Sequence, residues 1–171
     1  MTFAKEPAQF STITCLNWID VLKNEREKDI VIQSLSFLTK ERRVMIFSFV
    51  IMSNHLHLVW QVQGDFMLKD VQRDFLKYTS QQILKNFRNE NSSMLRELLV
   101  NSKDRKYQIW ERDSLHIPLW SSAVFDQKIE YVHQNPVKAA LVEFPSDYKY
   151  SSAGFYEQKG YQWEFLTHVD G

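Results

Sequence analysis

Two histidines separated by one leucine, His55 and His57, sit in the run Phe47-Ser-Phe-Val-Ile-Met-Ser-Asn-His-Leu-His-Leu-Val-Trp-Gln61. Side chains alternate between faces along a strand, so an extended backbone sends both imidazoles out of one face and turns Leu56 and Leu58 toward a core. Two imidazoles side by side can hold one divalent ion. The spacing alone more often describes a polar strand face. Further along, Tyr131 and Asn135 are four residues apart and share a face if both lie on one helix. A phenol ionises only near about pH 10 and is a weak nucleophile at neutral pH unless a base or metal assists. A metal on His55 and His57 would assist by polarising a phosphate oxygen while the tyrosine oxygen attacks phosphorus in line. By themselves the same residues also read as a half-buried helix aromatic, Tyr131, and an N-cap, Asn135, for a helix opened by Pro136.

The elements that must position these groups follow from periodicity. Phe10 to Leu22 alternates loosely and contains a strand, and Asn24 to Arg42 carries Ile30, Ile32, Leu35, Phe37 and Leu38 among charges, as a helix packing on a sheet does. Val44 to Met52 reads as a buried strand, Ser53-Asn54 as a tight turn and His55 to Val62 as the hairpin partner. Gly64-Asp65 marks a turn, with Asp65 placed to cap a long helix from about Met67 to Asn89. Met94 to Val100 is a short apolar helix, and Tyr107 to Trp110 and His116 to Trp120 are two short strands around a polar turn. Ser121 to Gln134 fits a helix with Val124, Phe125, Ile129 and Val132 on its apolar side. Asn135-Pro136 predicts a helix stop and restart. The tail from Glu143 is aromatic-rich with few periodic signals. A β-α-β-β-α-β order gives an α+β fold of ferredoxin-like (RRM-like) type, an antiparallel sheet with helices packed on one face and the other open for ligand.

Composition bounds the function classes. The chain has 171 residues, 44% of them hydrophobic, which suits a single domain over residues 1–171. Lys plus Arg and Asp plus Glu number 21 each, so a polyanion must be met by a local patch, not by net charge. Cys15 stands alone in an apolar run and reads as a buried small hydrophobe. The expected compartment is a reducing cytoplasm. No apolar run approaches the roughly 18 residues of a bilayer span, and the N-terminus lacks a secretory pattern, so a soluble, unprocessed protein without membrane partners is expected.

Three ordered motifs resemble one family. Met52-Ser-Asn-His-Leu-His-Leu58 resembles the Met-Pro-Asn-His-x-His-hydrophobic signature of the IS200-like single-tyrosine HUH transposases. Tyr131-Val-His-Gln-Asn-Pro-Val-Lys-Ala-Ala-Leu-Val142 is similar to the Tyr-Ile-His-x-Asn-Pro-Val-x-x-Gly-hydrophobic-Val segment of their REP-associated branch. Asp147-Tyr-Lys-Tyr-Ser-Ser-Ala153 resembles the Asp-Tyr-x-Tyr/Trp-Ser-Ser that follows it there, and Trp110-Glu111 falls where that branch carries a Trp-Gln/Glu pair. The resemblance spans roughly Phe47 to Tyr156. It implies a nicking and joining enzyme that cuts one strand of hairpin-flanked DNA and keeps the 5′ phosphate on tyrosine. Under it, His55 and His57 are metal ligands with Asn135 a third, Tyr131 is the nucleophile, and His133 is a DNA contact or packing residue. The cofactor is Mg2+ or Mn2+, and the partner is single-stranded or hairpin DNA of palindromic repeats. Transposition needs two cleavages and the chain offers one nucleophile, which favours a homodimer. Ser53 stands where the family has proline and Ala140 where it has glycine; the second matters if that position needs positive φ.

Lys69, Arg73 and Lys77 recur every four residues on the long helix and offer a positive line to DNA, diluted by Asp70 and Asp74. Trp60, Trp110 and Trp120 could stack on unpaired bases, although large aromatics in a sheet are more often core. Two other functions fit the residues. A DNA-hairpin-binding protein that has lost cleavage would not need Tyr131 intact. An unrelated His-x-His metallohydrolase would need further carboxylate ligands.

Overall fold

The computed structural model describes residues 5–171. Four strands, β1 (Gln9–Thr14), β2 (Val44–Ile51), β3 (His55–Val62) and β4 (Leu115–Pro118), form one antiparallel sheet in the order β2-β3-β1-β4. The fold is α+β, as the alternating and helical periods predict. Helices α1 (Glu25–Lys40) and α2 (Leu68–Asn89) pack on each other and on one face of the sheet. Their core holds Ile13, Phe49, Leu56, Leu58 and Trp60, the inward-pointing half of the central strands, against Leu35, Val71, Phe75 and Ile83.

The opposite face is not open. After the single-turn helix α3 (Met94–Glu97), helix α4 (Ser122–Lys138) crosses that face against β2 and β3, burying Phe10, Val50, Val59, Ile129 and Val132. Ser121 starts α4 by accepting from the Val124 N–H at 3.3 Å. The expected break at Asn135-Pro136 does not occur: the helix runs through Pro136 to Lys138. Proline removes one N–H, and two residues before the helix end that forfeits a single intrahelical bond. Asn135 is therefore a residue of the last helical turns and not an N-cap.

Smaller differences have equally local causes. Asp65 does not cap α2; its carboxylate pairs with Lys5 at 2.7 Å. Tyr107 to Trp110 is not a regular strand but makes isolated bridges, Tyr107 to Leu99 and Trp110 to Cys15. Between Ile46 and Ser48 the pairing of β2 with β3 slips, a bulge that lets Phe47 pack on Phe125 while Ser48 reaches His133. The C-terminal tail, including α5 (Ala153–Glu157), lies along β2: the Ile51 N–H donates to the Tyr150 carbonyl and the Ser152 N–H to the Phe49 carbonyl. Among the described residues no helix is long and apolar enough to cross a membrane.

Candidate active site

The two central strands set the site. Thr12 of β1 lies opposite His57 of β3, and Thr14 opposite His55, so all four side chains leave the face covered by α4. The two imidazole centroids are 4.8 Å apart. Each ring is oriented through Nδ1: His55 contacts Asn54 Oδ1 at 2.8 Å, and His57 contacts Thr12 Oγ1 at 2.9 Å. An amide oxygen can only accept, so His55 carries its proton on Nδ1 and keeps a lone pair on Nε2, the form that ligates metals. Phe10 stacks on His57 at 5.4 Å and fixes its plane.

Helix α4 brings the other two groups. The Tyr131 ring stands edge-on to His57 at 5.3 Å and to Phe10 at 5.7 Å, and the residue is 40% exposed. One turn on, Asn135 is within hydrogen-bonding reach of His55 and raises that ring's proton affinity, while burial lowers it further than Asn135 restores it. Burial, reinforced by the charges of His55 and Lys128, pushes His57 down to about 3. Both imidazoles are thus neutral at neutral pH, as metal ligands must be. Two imidazoles and a carboxamide fit a divalent ion as an uncharged donor set. Among the described residues no cluster of three His, Cys, Asp or Glu forms a metal site, so an ion here would rest on the two imidazoles and the carboxamide.

Two lysines that the linear pattern did not bring forward complete the arrangement. Lys128 and Lys138 share a helix face with Tyr131 and Asn135, and their ammonium groups lie 5.5 and 5.6 Å from the centre of the Tyr131 ring. The spacing 128, 131, 135, 138 is a helical stripe and was readable in the sequence once one unbroken helix was assumed. The site therefore presents cations, two neutral imidazoles and a carboxamide around one phenol, an environment for an anion.

The remaining expected residues lie elsewhere. His133 does not reach solvent: it is 7% exposed, its Nε2 sits 2.7 Å from Ser152 Oγ, and burial pushes it down to about 4. Its geometry is that of a pin between α4 and the tail, not of the expected DNA contact. Lys69, Arg73 and Lys77 line a groove of about 1140 Å3 between α2 and residues 104–116, on the α2 side of the sheet. Arg73 is tied to Asp70 at 2.9 Å and to Asp74 at 3.0 Å, and only Lys69 and Lys77 of that line have no ion pair among the described residues. His116 opens into the same groove with Nδ1 held 2.7 Å from Ser11 Oγ. Of the tryptophans, Trp60 and Trp110 are core at 0% and 4% exposure, and Trp120 is exposed.

No protein-family model matches the sequence, and no curated protein matches it. Solved structures do match. A REP-associated tyrosine transposase solved bound to a REP hairpin superimposes with a TM-score of 0.67 at 14% identity, over 100% of this chain and 92% of that one. A candidate transposase from Deinococcus radiodurans R1 superimposes with a TM-score of 0.51 at 11% identity, over 77% of this chain and 92% of that one. The fold of this chain is that of a REP-associated tyrosine transposase.

Proposed function

We propose that this chain is a single-tyrosine DNA nicking and joining enzyme of the REP-associated transposase type. The observation that carries the reading is the meeting of four side chains from two remote segments, His55 and His57 from β3 and Tyr131 and Asn135 from α4, on one face of the sheet. A strand face covered by a helix ordinarily holds apolar side chains; here it holds two imidazoles, and the helix above them sets an exposed phenol between two lysines. The fold neighbour solved with a REP hairpin supports hairpin-flanked DNA as the substrate.

In the proposed reaction the Tyr131 oxygen forms a bond to phosphorus of a single-stranded DNA phosphate, and the bond from phosphorus to the 3′ oxygen breaks. The phenol gives up a proton and the 3′ oxygen takes one. The phosphotyrosine keeps the bond energy, so a 3′ hydroxyl can later reverse the step without ATP. Lys128 and Lys138 attract the phosphate and oppose the charge that builds on its oxygens in the transition state. His55, His57 and Asn135 would hold a divalent ion, Mg2+ or Mn2+, which when bound supplies Lewis-acid polarisation of the phosphate. Phe10 and Thr12 fix the His57 ring so that its lone pair stays aimed.

The test is a labelled single-stranded hairpin DNA incubated with manganese. The parent chain forms a covalent adduct resistant to denaturation. Tyr131→Phe, which removes one oxygen and keeps the ring against His57, forms none and binds the hairpin with nearly unchanged affinity. Adduct formation by the mutant would place the nucleophile elsewhere. Hairpin binding without any adduct in the parent would leave a binding protein.

A further inference from the structure

Trp18 stands beside the site in a conformation that its own residue type disfavours. Asn17 has φ 52° and Trp18 φ 57°, two consecutive left-handed residues neither of which is glycine. For a bulky side chain this is an outlier that persists only when its surroundings impose it. They do: the Asn17 N–H donates to Glu111 Oε1 at 2.7 Å, the Trp18 N–H to the Cys15 carbonyl at 3.0 Å, and Asn54 Nδ2 donates to the Trp18 carbonyl at 3.4 Å. The loop is further tied to the β2–β3 turn, where the Leu22 N–H donates to the Ser53 carbonyl and Ser53 Oγ to Asp20 Oδ1. All this fixation delivers an indole that is 60% exposed, edge-on to His55 at 5.6 Å. Burial would repay the strain, and the ring is not buried.

From this geometry we infer that Trp18 is a base-stacking platform, taking an unpaired nucleobase of the strand whose phosphate reaches Tyr131. Trp18, His55, His57 and Tyr131 form a row of rings spaced 5.6, 4.8 and 5.3 Å apart. The phosphate end of that row carries Lys128 and Lys138, and the other end carries an apolar flat surface. Single-stranded nucleic acid presents the same pairing, an anionic backbone with bases whose faces stack on aromatics regardless of sequence. The inference rests on the reading of Tyr131 as a DNA-cutting residue, and its test separates the two.

The full chain is titrated with a single-stranded oligothymidylate in the presence of a chelator, following tryptophan emission, and adduct formation with manganese on labelled hairpin DNA is scored in parallel. Glycine suits the Trp18 backbone, so Trp18→Gly keeps the loop while deleting the ring. It is expected to lose most of the emission quench and to weaken binding about tenfold, the scale of one stacked base. Trp18→Phe keeps a smaller platform and falls between the two. Unchanged quench and affinity in Trp18→Gly overturn the inference. So does a Trp18→Gly chain whose oligomeric state changes while its DNA affinity does not, which makes the ring a contact between copies. A quench that depends on Trp18 without any adduct leaves the platform standing and overturns the cutting reaction. Absence of DNA binding by the parent overturns both.

Discussion

His133 lies where a proton is unwelcome: it is buried between α4 and the tail, with Ser152 Oγ 2.7 Å from its Nε2 and the Tyr156 ring 5.3 Å away. Its folded pKa, about 4, lies below the ordinary unfolded histidine value of about 6.5. The unfolded chain therefore binds the extra proton between those values. The stability tied to the neutral ring is complete above about pH 6.5 and is lost as pH falls through that window toward 4. Denaturant midpoints measured at pH 7.5 and 4.5 should show His133→Gln losing less stability on acidification than the parent, by about 2 kcal/mol, because glutamine keeps a bond to Ser152 without titrating. An equal loss in both proteins would mean His133 is not the group that titrates. At the other end of the same sheet face, His57→Ala is expected to abolish manganese binding in calorimetry. Leu56→Val, on the face of β3 that points to α1 and α2, should leave it intact at a stability cost of about 1 kcal/mol. Equal manganese affinity for His57→Ala and parent would remove His57 from the ligand set.

At the scale of elements, the end of α4 shows how a sequence departure is absorbed. The Ala140 N–H donates to the Val137 carbonyl at 2.9 Å and the Leu141 N–H to the Pro136 carbonyl at 3.0 Å, the paired bonds of a Schellman stop. That motif places Ala140 at φ 58°, the positive φ that a glycine would take freely. Ala140→Gly should raise stability by about 0.5–1 kcal/mol, less than the full left-handed cost because glycine also loosens the unfolded chain. Thermal melts check it, and a lowered melting temperature would mean that the alanine methyl packs better than its backbone is strained. The tail uses the Asp147-Tyr-Lys-Tyr-Ser-Ser run in a comparable structural way. Tyr148 donates its hydroxyl to the Ile51 carbonyl at 2.7 Å, Tyr156 donates to Phe47 at 2.8 Å, and Ser152 receives the Phe49 N–H at 3.0 Å. These bonds cover the outer edge of β2, which would otherwise be free to pair with another chain.

For the molecule as a whole, zero formal net charge makes DNA affinity a matter of where the cations are free. The groove beside α2 holds Lys69, Arg73 and Lys77, but the guanidinium of Arg73 is occupied by Asp70 and Asp74. Within that groove the two lysines should carry the salt dependence, in addition to the contacts of Lys128 and Lys138 at the site. Replacing Lys69 and Lys77 together is expected to flatten the slope of log affinity against log salt by about 1.4 on single-stranded DNA, roughly 0.7 per contact, with cleavage at saturating DNA retained. Adding Arg73→Gln should change the slope little. An unchanged slope in the double mutant would remove the α2 groove from the DNA track and leave the phosphate contacts to Lys128 and Lys138 beside Tyr131. Seen along the chain, much of this architecture was already determined locally. The apolar run, the Ser53-Asn54 turn and its partner fixed the Val44 to Val62 hairpin, and strand alternation fixed the common face of His55 and His57, since a one-residue slip would have sent the imidazoles into the α1–α2 core. Apolar spacing fixed α1, α2 and the body of α4. The tertiary structure alone decided the rest, for reasons that act over distances no window sees. Whether Pro136 breaks a helix depends on how near it lies to the end. Which tryptophan is core depends on which face is covered, so Trp60 and Trp110 went inside while Trp18 was held out by Glu111 and Asn54. The meeting of β3 with α4 depends on the crossing of that helix over the sheet, and that crossing turned four scattered side chains into one site.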